Sequence, residues 1–176
     1  MTVPPPASRL LGRQRIPRSA AGLSLVELMI VILIISILFV AAVPVYQRIQ
    51  RKARAAALVN DFRVFGAVFQ SYAHEKGAWP VDTAPGVVPP GITANDLRID
   101  VWTRPTPMGG LWTWQIEAVH PGGPNGGKWH AVLAITGANI DADLMLEIDD
   151  ALDDGDIDAG NFRRGTLDDP IYIIEP

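Results

Sequence analysis

A single carboxylate stands at the front edge of a long apolar segment, and it is the residue with the clearest chemical meaning in this sequence. Glu27 is followed by nineteen residues, Leu28–Tyr46, that carry no formal charge. A carboxylate at the mouth of a membrane helix is costly, and residues of this kind generally serve a function. Glu27 is therefore the first candidate functional residue.

A second group of carboxylates lies near the end of the chain. Asp154, Asp156 and Asp158 alternate with other residues, so their oxygens could be presented to a hard cation such as Ca²⁺. The segment lacks the closing Glu of an EF-hand, and Asp side chains in turns also cap backbone amides. Two interpretations stay open here: a Ca²⁺ site, or a plain turn whose charge is partly neutralised by Arg163 and Arg164.

The other reactive side chains form no recognisable catalytic or metal motif. The sequence has no cysteine, which excludes disulfides and thiolate metal sites. Its three histidines, His74, His120 and His130, form no paired metal-ligand motif, and no nucleophile motif accompanies His130. We predict that the protein is not an enzyme.

The distribution of charge predicts an orientation across a membrane. The 176-residue chain has a net charge of −4, but its first 22 residues hold four arginines and no acid. These residues therefore carry +4, and the remainder carries −8. A basic start beside an apolar segment stays cytoplasmic while the far end is translocated. The acidic remainder argues against a nucleic-acid partner, which would need a basic face.

Residues 23–42 are long enough to span a membrane, since twenty helical residues extend for about 30 Å. Three interpretations compete. The segment could be a secretory signal cut after Ala42, although its apolar core would be too long and Glu27 would interrupt it. It could be a plain single-pass anchor. It could also be retained after a cut following Gly22, which would create a new positive amine on Leu23.

Gly22-Leu23-Ser24-Leu25-Val26-Glu27 follows a basic leader, and Glu27 falls fifth counting from Leu23. These residues resemble the class III signal of type IV pilins and type II secretion pseudopilins. Leu23 stands where Phe or Met is commoner in that family. The resemblance implies that a prepilin peptidase removes residues 1–22 and that the Leu23 amine is methylated. It also implies that Glu27 docks onto the Leu23 amine of a neighbouring subunit; the alternative is that Glu27 pairs with the amine of its own chain or extends to the lipid headgroups.

The same resemblance implies a structural subunit of a type IV pilus or a type II secretion pseudopilus. Such a subunit is held in the inner membrane and polymerised with other pilins by inner-membrane assembly machinery, with its head periplasmic or extracellular. Pro44 falls at the twenty-second mature position, where family members often have Pro. It removes a helix hydrogen bond, so we expect a kink or local melting there.

Two other classes of protein remain possible from the sequence: a single-pass membrane-anchored binding module that does not polymerise, and a secreted hydrolase that discards the apolar segment.

The hydrophobic pattern predicts an α+β fold of the type IV pilin kind. A long kinked helix over residues 23–75, with residues 23–42 transmembrane, is expected to pack on a small antiparallel sheet. Residues 76–176 would form the globular head, with the acidic loop near its end. In the second half of the helix, apolar residues recur at spacings of four and three, and this stripe should face the sheet: Leu58, Phe62, Phe65, Phe69 and Tyr72.

The head is predicted from shorter patterns. Residues 81–110 are rich in Pro and Gly and predict a loop with little regular structure. Residues 111–118 and 129–135 predict a β-hairpin. Residues 141–152 predict a short helix, and residues 171–174 predict a last strand that closes the sheet.

Overall fold

The computed structural model describes residues 24–122, 127–139 and 141–176. In chain order they form helix α1 (Leu25–Lys76), helix α2 (Ile99–Trp102), strand β1 (Gly109–Val119), strand β2 (Lys128–Ala138), helix α3 (Ala142–Leu152), strand β3 (Phe162–Arg164), a 3-10 turn (Thr166–Asp168) and strand β4 (Pro170–Glu175). Contacts divide the chain into two compact units, residues 1–42 and 43–176. The predicted α+β fold, an apolar N-terminal helix with a small antiparallel sheet, is confirmed.

Helix α1 ends where a glycine supplies a backbone conformation that other residues rarely adopt. Gly77 has a φ of 71°, and its N–H donates to the carbonyl oxygen of Ala73 at 2.8 Å. A left-handed glycine of this kind terminates a helix by satisfying one of its last carbonyls. The helix therefore ends at Lys76, one residue beyond the predicted boundary. Pro44 lies inside α1, and its expected role in bending or melting the helix stays a prediction.

The aromatic stripe of α1 forms the centre of the core in the second unit. The ring of Phe65 packs edge-to-face on Trp112, with 4.9 Å between ring centroids, and on Trp102 at 5.3 Å. The ring of Phe69 stacks on Trp114 at 4.1 Å. Of the predicted stripe, Tyr72 is half-buried and the other members are fully buried. The prediction that this stripe faces the sheet is confirmed.

The sheet has four antiparallel strands in the order β1-β2-β4-β3. Strands β1 and β2 contain the predicted segments and pair with each other, which confirms the hairpin. Strand β4 was expected to close the sheet, but it lies between β2 and β3. Strand β3 was missed because it has three residues and follows directly on the acidic segment, where the residue types indicate a turn.

The predicted loop over residues 81–110 has little regular structure, as expected, and contains one short helix, α2, before β1 begins at Gly109. Trp102 at the end of α2 is fully buried, and its indole N–H donates to the carbonyl oxygen of Val87 at 3.0 Å. A four-residue helix is too short to show a periodic pattern in the sequence. The loop therefore contributes a core tryptophan that its composition did not predict.

Candidate functional site

The first part of α1 presents apolar side chains that nothing in the described chain covers. Every residue from Ser24 to Gln50 is exposed, including Leu38 at 64% and Phe39 at 69%. By length and composition α1 could cross a membrane, and it alone among the described helices meets that test. A continuous apolar surface of this size is normally covered by lipid or by another chain. These features fit a membrane-anchored, single-pass protein.

Glu27 lies in the first turn of α1, where the first helical hydrogen bond joins the Leu28 N–H to the Ser24 carbonyl oxygen at 3.1 Å. The first turn of a helix has unpaired N–H groups and a positive partial charge, which favour a carboxylate. Glu27 forms no ion pair with any residue that the structure describes. Gly22 and Leu23 lie outside the described residues, so cleavage and pairing with the Leu23 amine stay predictions.

The acidic segment begins on α3 rather than in the loop that follows it. The predicted helix over residues 141–152 is confirmed as α3, with Asp141 as its N-cap. Asp149 is in the last turn of α3, and Asp153 is the residue immediately after the helix. The buried face of α3 consists of Leu144, Met145, Ile148 and Asp149. One carboxylate of the acidic segment therefore points into the protein.

The three aspartates predicted from their alternation, Asp154, Asp156 and Asp158, are used mainly in local turns. An oxygen of Asp154 accepts from the Asp156 N–H at 3.0 Å, and an oxygen of Asp156 accepts from the Asp158 N–H at 3.1 Å. Asp158 forms two hydrogen bonds with the Arg164 guanidinium, at 3.0 and 3.1 Å. These contacts match the capping interpretation for part of the segment.

The structure brings Asp154 together with two different carboxylates, those of Asp149 and Asp153. One oxygen from each of these three side chains lies within 4.8 Å of the others. Asp149 is fully buried, and neither of its oxygens has a hydrogen-bond partner among the residues that the structure describes, whereas Asp153 and Asp154 are more accessible. Burial raises the pKa of Asp149 to about 6, and the nearby charges of Asp154, Asp153, Asp150 and Asp156 add to the shift.

Asp149 and Asp153 were not predicted as site residues from the sequence, although the position of Asp149 along the predicted helix could have indicated it. Asp149 stands four residues after Met145, so on a helix it falls on the same face as the buried apolar residues. Asp153 had no comparable signal. Its side chain accepts hydrogen bonds from the backbone N–H groups of Asn161 and Phe162, a contact across the loop that depends on the tertiary structure.

Two of the three histidines, His120 and His130, form side-chain contacts within the described part of the protein. His120 is buried, its Nε2–H donates to Gln115 Oε1 at 2.7 Å, and its Nδ1 accepts from the Thr166 N–H at 3.1 Å. Burial lowers the pKa of His120, which keeps the ring neutral, while Asp169 opposes this shift. His130 lies on β2, is exposed and contacts Glu117.

Comparison with known proteins adds one finding at the start of the chain. Residues 17–43 match the family model described as the prokaryotic N-terminal methylation motif. No curated protein and no solved structure matches the chain. The matched residues contain Gly22, Leu23 and Glu27 together with the apolar part of α1 up to Val43. The chain therefore carries at residues 17–43 the prokaryotic N-terminal methylation motif, which is the class III signal of type IV pilins.

Proposed function

We propose that this protein is a structural subunit of a type IV pilus or a type II secretion pseudopilus. The precursor is cut between Gly22 and Leu23 by a prepilin peptidase, and the mature chain polymerises with other pilins through α1. The inner-membrane assembly machinery adds it to the fibre, and residues 76–176 form a head on the periplasmic or extracellular side. The role is structural, so no side chain is assigned to catalysis.

The observation that carries this proposal is the uncovered apolar helix that begins inside the matched signal. Leu25–Ala42 is helical and wholly exposed, which makes it suitable for lipid before assembly and for other copies of the helix afterwards. Polymerisation replaces lipid contacts by helix–helix contacts, so the apolar surface stays covered in both states. The placement of Glu27 in the first turn supports docking, because a carboxylate there can receive the new amine of another subunit.

Mechanical shearing of cells separates the proposed fibre subunit from a membrane-anchored binding module. Cells that express the protein are sheared, and the sheared fraction and the membranes are probed for the mature chain. A fibre subunit is released with the sheared fraction, while a module that does not polymerise stays with the membranes. An inner-membrane protein with a single uncleaved span provides the control for membrane contamination of the sheared fraction.

Processing of the leader gives a direct prediction about the mature N-terminus. We expect mass spectrometry of the mature protein to identify Leu23 as the first residue, with one added methyl group on its amine. The physical reason is that the cut lies at the cytoplasmic edge of the apolar segment, where a peptidase can reach the backbone. A mature chain beginning at Val43 would instead indicate an ordinary secretory signal and would contradict the proposal.

A pair of glycine variants tests the same prediction by genetics. Gly22→Val is expected to prevent cleavage and to leave the full-length precursor in the membrane, since a branched side chain at Gly22 hinders approach to the peptide bond. Gly12→Val places the same side chain within the leader and is expected to leave cleavage unchanged. Efficient processing of Gly22→Val would show that the cut lies elsewhere.

A further inference from the structure

The carboxylates of Asp149, Asp153 and Asp154 converge where α3 ends, and their surroundings are unusual for a purely structural turn. Asp149 has no exposed surface, and neither of its oxygens accepts a hydrogen bond in the described part of the chain. A buried carboxylate without a partner is strongly unfavourable. One oxygen of Asp149 lies within 4.8 Å of an oxygen of Asp153 and of an oxygen of Asp154, so the three side chains converge on one position.

The two arginines that follow the carboxylates in the sequence, Arg163 and Arg164, contact other groups. Arg163 donates to the Gly160 carbonyl oxygen at 3.0 Å and its guanidinium lies over the ring of Trp129, while Arg164 pairs with Asp158. Among the described residues, no basic side chain forms an ion pair with the three converging carboxylates. At the end of α3 the Arg63 guanidinium of α1 donates to the Ala151 carbonyl oxygen at 2.5 Å, which offsets part of the negative end of the helix dipole but provides no ion pair for the three carboxylates.

Several oxygens of the cluster remain available to a ligand. One oxygen of Asp153 accepts from the Asn161 and Phe162 N–H groups, and one oxygen of Asp154 accepts from the Asp156 N–H. Within residues 24–122, 127–139 and 141–176, the second oxygen of Asp153 and of Asp154 accepts no hydrogen bond, and neither oxygen of Asp149 has a partner. A Cβ atom at Gly160, whose φ is 66°, would overlap a carboxylate oxygen of Asp153, so a larger residue there would force the Asp153 side chain to move.

We propose that Asp149, Asp153 and Asp154 together bind one Ca²⁺ ion. The cluster offers only hard oxygen donors, without His or Cys, and Ca²⁺ accepts such donors in a flexible geometry, with water or backbone carbonyl oxygens completing its coordination. Asp149 supplies the buried donor, and the other two close the site from the accessible side. The proposed ligands therefore differ from those expected from the sequence. Both sets include Asp154, but Asp149 and Asp153 take the places of Asp156 and Asp158 in the proposed site.

A bound cation at this position would hold the end of α3 against the loop that leads to β3. Asp149 is part of the helix, and Asp153 is already hydrogen-bonded to the first residues beyond the loop. The ion would therefore add a further link between the end of α3 and the loop that leads to β3. The proposal does not depend on polymerisation, because it concerns the folded subunit alone.

Thermal unfolding of the full chain in detergent tests the site. The five tryptophans all lie between residues 79 and 129, so their fluorescence reports on the second unit. We expect about 5 mM Ca²⁺ to raise Tm by roughly 5 °C or more relative to EDTA, because an ion that binds only the folded form stabilises it. Calorimetric titration should give one Ca²⁺ per chain, and Mg²⁺ should have a smaller effect since it demands stricter geometry.

Three substitutions assign the effect to particular side chains. Asp149→Asn is expected to abolish the Ca²⁺-dependent rise in Tm, while in EDTA the variant is at least as stable as the parent because a buried charge has been removed. Asp154→Asn, at a more accessible position, is expected to weaken Ca²⁺ binding at least tenfold. Asp158→Asn is the matched control: it removes a nearby carboxylate that pairs with Arg164, and it should keep the parent's response to Ca²⁺.

Three results would overturn the proposal. The first is a parent protein whose Tm in Ca²⁺ equals its Tm in EDTA and whose titration shows no binding heat. The second is a full Ca²⁺ response in Asp149→Asn, or in Asp154→Asn if the first variant does not fold. The third is loss of the response in Asp158→Asn alone, which would assign the Ca²⁺ site to the alternating aspartates instead of to Asp149.

Discussion

Replacing Glu27 with alanine is expected to leave cleavage after Gly22 intact and to reduce incorporation into fibres by about a hundredfold or more. On the proposed function, the Leu23 amine of one subunit meets the Glu27 carboxylate of another within an apolar bundle of helices. Removing one partner of a buried ion pair leaves the other charge uncompensated, at a cost of about 3–5 kcal/mol, and each 1.4 kcal/mol corresponds to about a factor of ten. The ratio of sheared to membrane-bound mature protein measures the effect.

Two further variants show whether the effect depends on the charge at this position. Glu75→Ala removes a carboxylate at the other end of α1, where Glu75 is exposed and pairs with Lys76, and it should leave incorporation unchanged. Glu27→Gln keeps the size of the side chain but not its charge, so it should be nearly as impaired as Glu27→Ala. Parental incorporation of both Glu27 variants would show that the proposed pairing is dispensable.

Truncation of Phe65 is expected to produce the largest loss of stability in the head. Its ring is fully buried and packs edge-to-face on Trp102 and Trp112. Phe65→Ala should lower the free energy of unfolding by about 3–5 kcal/mol, because the apolar contacts are lost and a cavity remains. Denaturant unfolding of the full chain in detergent, followed by tryptophan fluorescence, measures the change.

Phe39→Ala provides the matched control for this measurement, since it makes the same chemical change at an exposed position in the first part of α1. It should change the unfolding free energy of the head by less than about 0.5 kcal/mol, as for surface substitutions away from the core. A loss below about 1 kcal/mol for Phe65→Ala would mean that the aromatic stripe contributes through a partner instead of through this core.

The parts of the fold that were predicted correctly are those with a local signal. The stripe from Leu58 to Tyr72 could be identified because helical periodicity repeats every few residues along one segment. The β1–β2 hairpin could be identified because two β-branched and aromatic segments flank a Gly-rich connection. The predicted site at Gly22, Leu23 and Glu27 is likewise a contiguous arrangement of residue types, and residues 17–43 match a known motif.

Elements that depend on contacts between distant segments could not be predicted in the same way. The position of β4 between β2 and β3 is set by pairing across the sheet, and β3 is too short to form without that neighbour. Helix α2 has four residues, and Trp102 reaches the core through packing against Phe65 and Phe69. Isolated short elements are marginal in water, so their sequences carry little signal of their own.

By itself the sequence determined the signal, the apolar helix, the aromatic stripe and the acidic character of the segment near the C-terminus, because each depends on residues that are adjacent or regularly spaced. Only the tertiary structure decided which carboxylates meet. Asp149 belongs to the buried face of α3, and the loop returns to place the Asn161 N–H against Asp153. The alternating spacing of aspartates in the sequence predicted a site that included Asp156 and Asp158. In the folded protein Asp149 and Asp153 lie beside Asp154 instead, because which side chains meet is decided by packing and not by spacing along the chain.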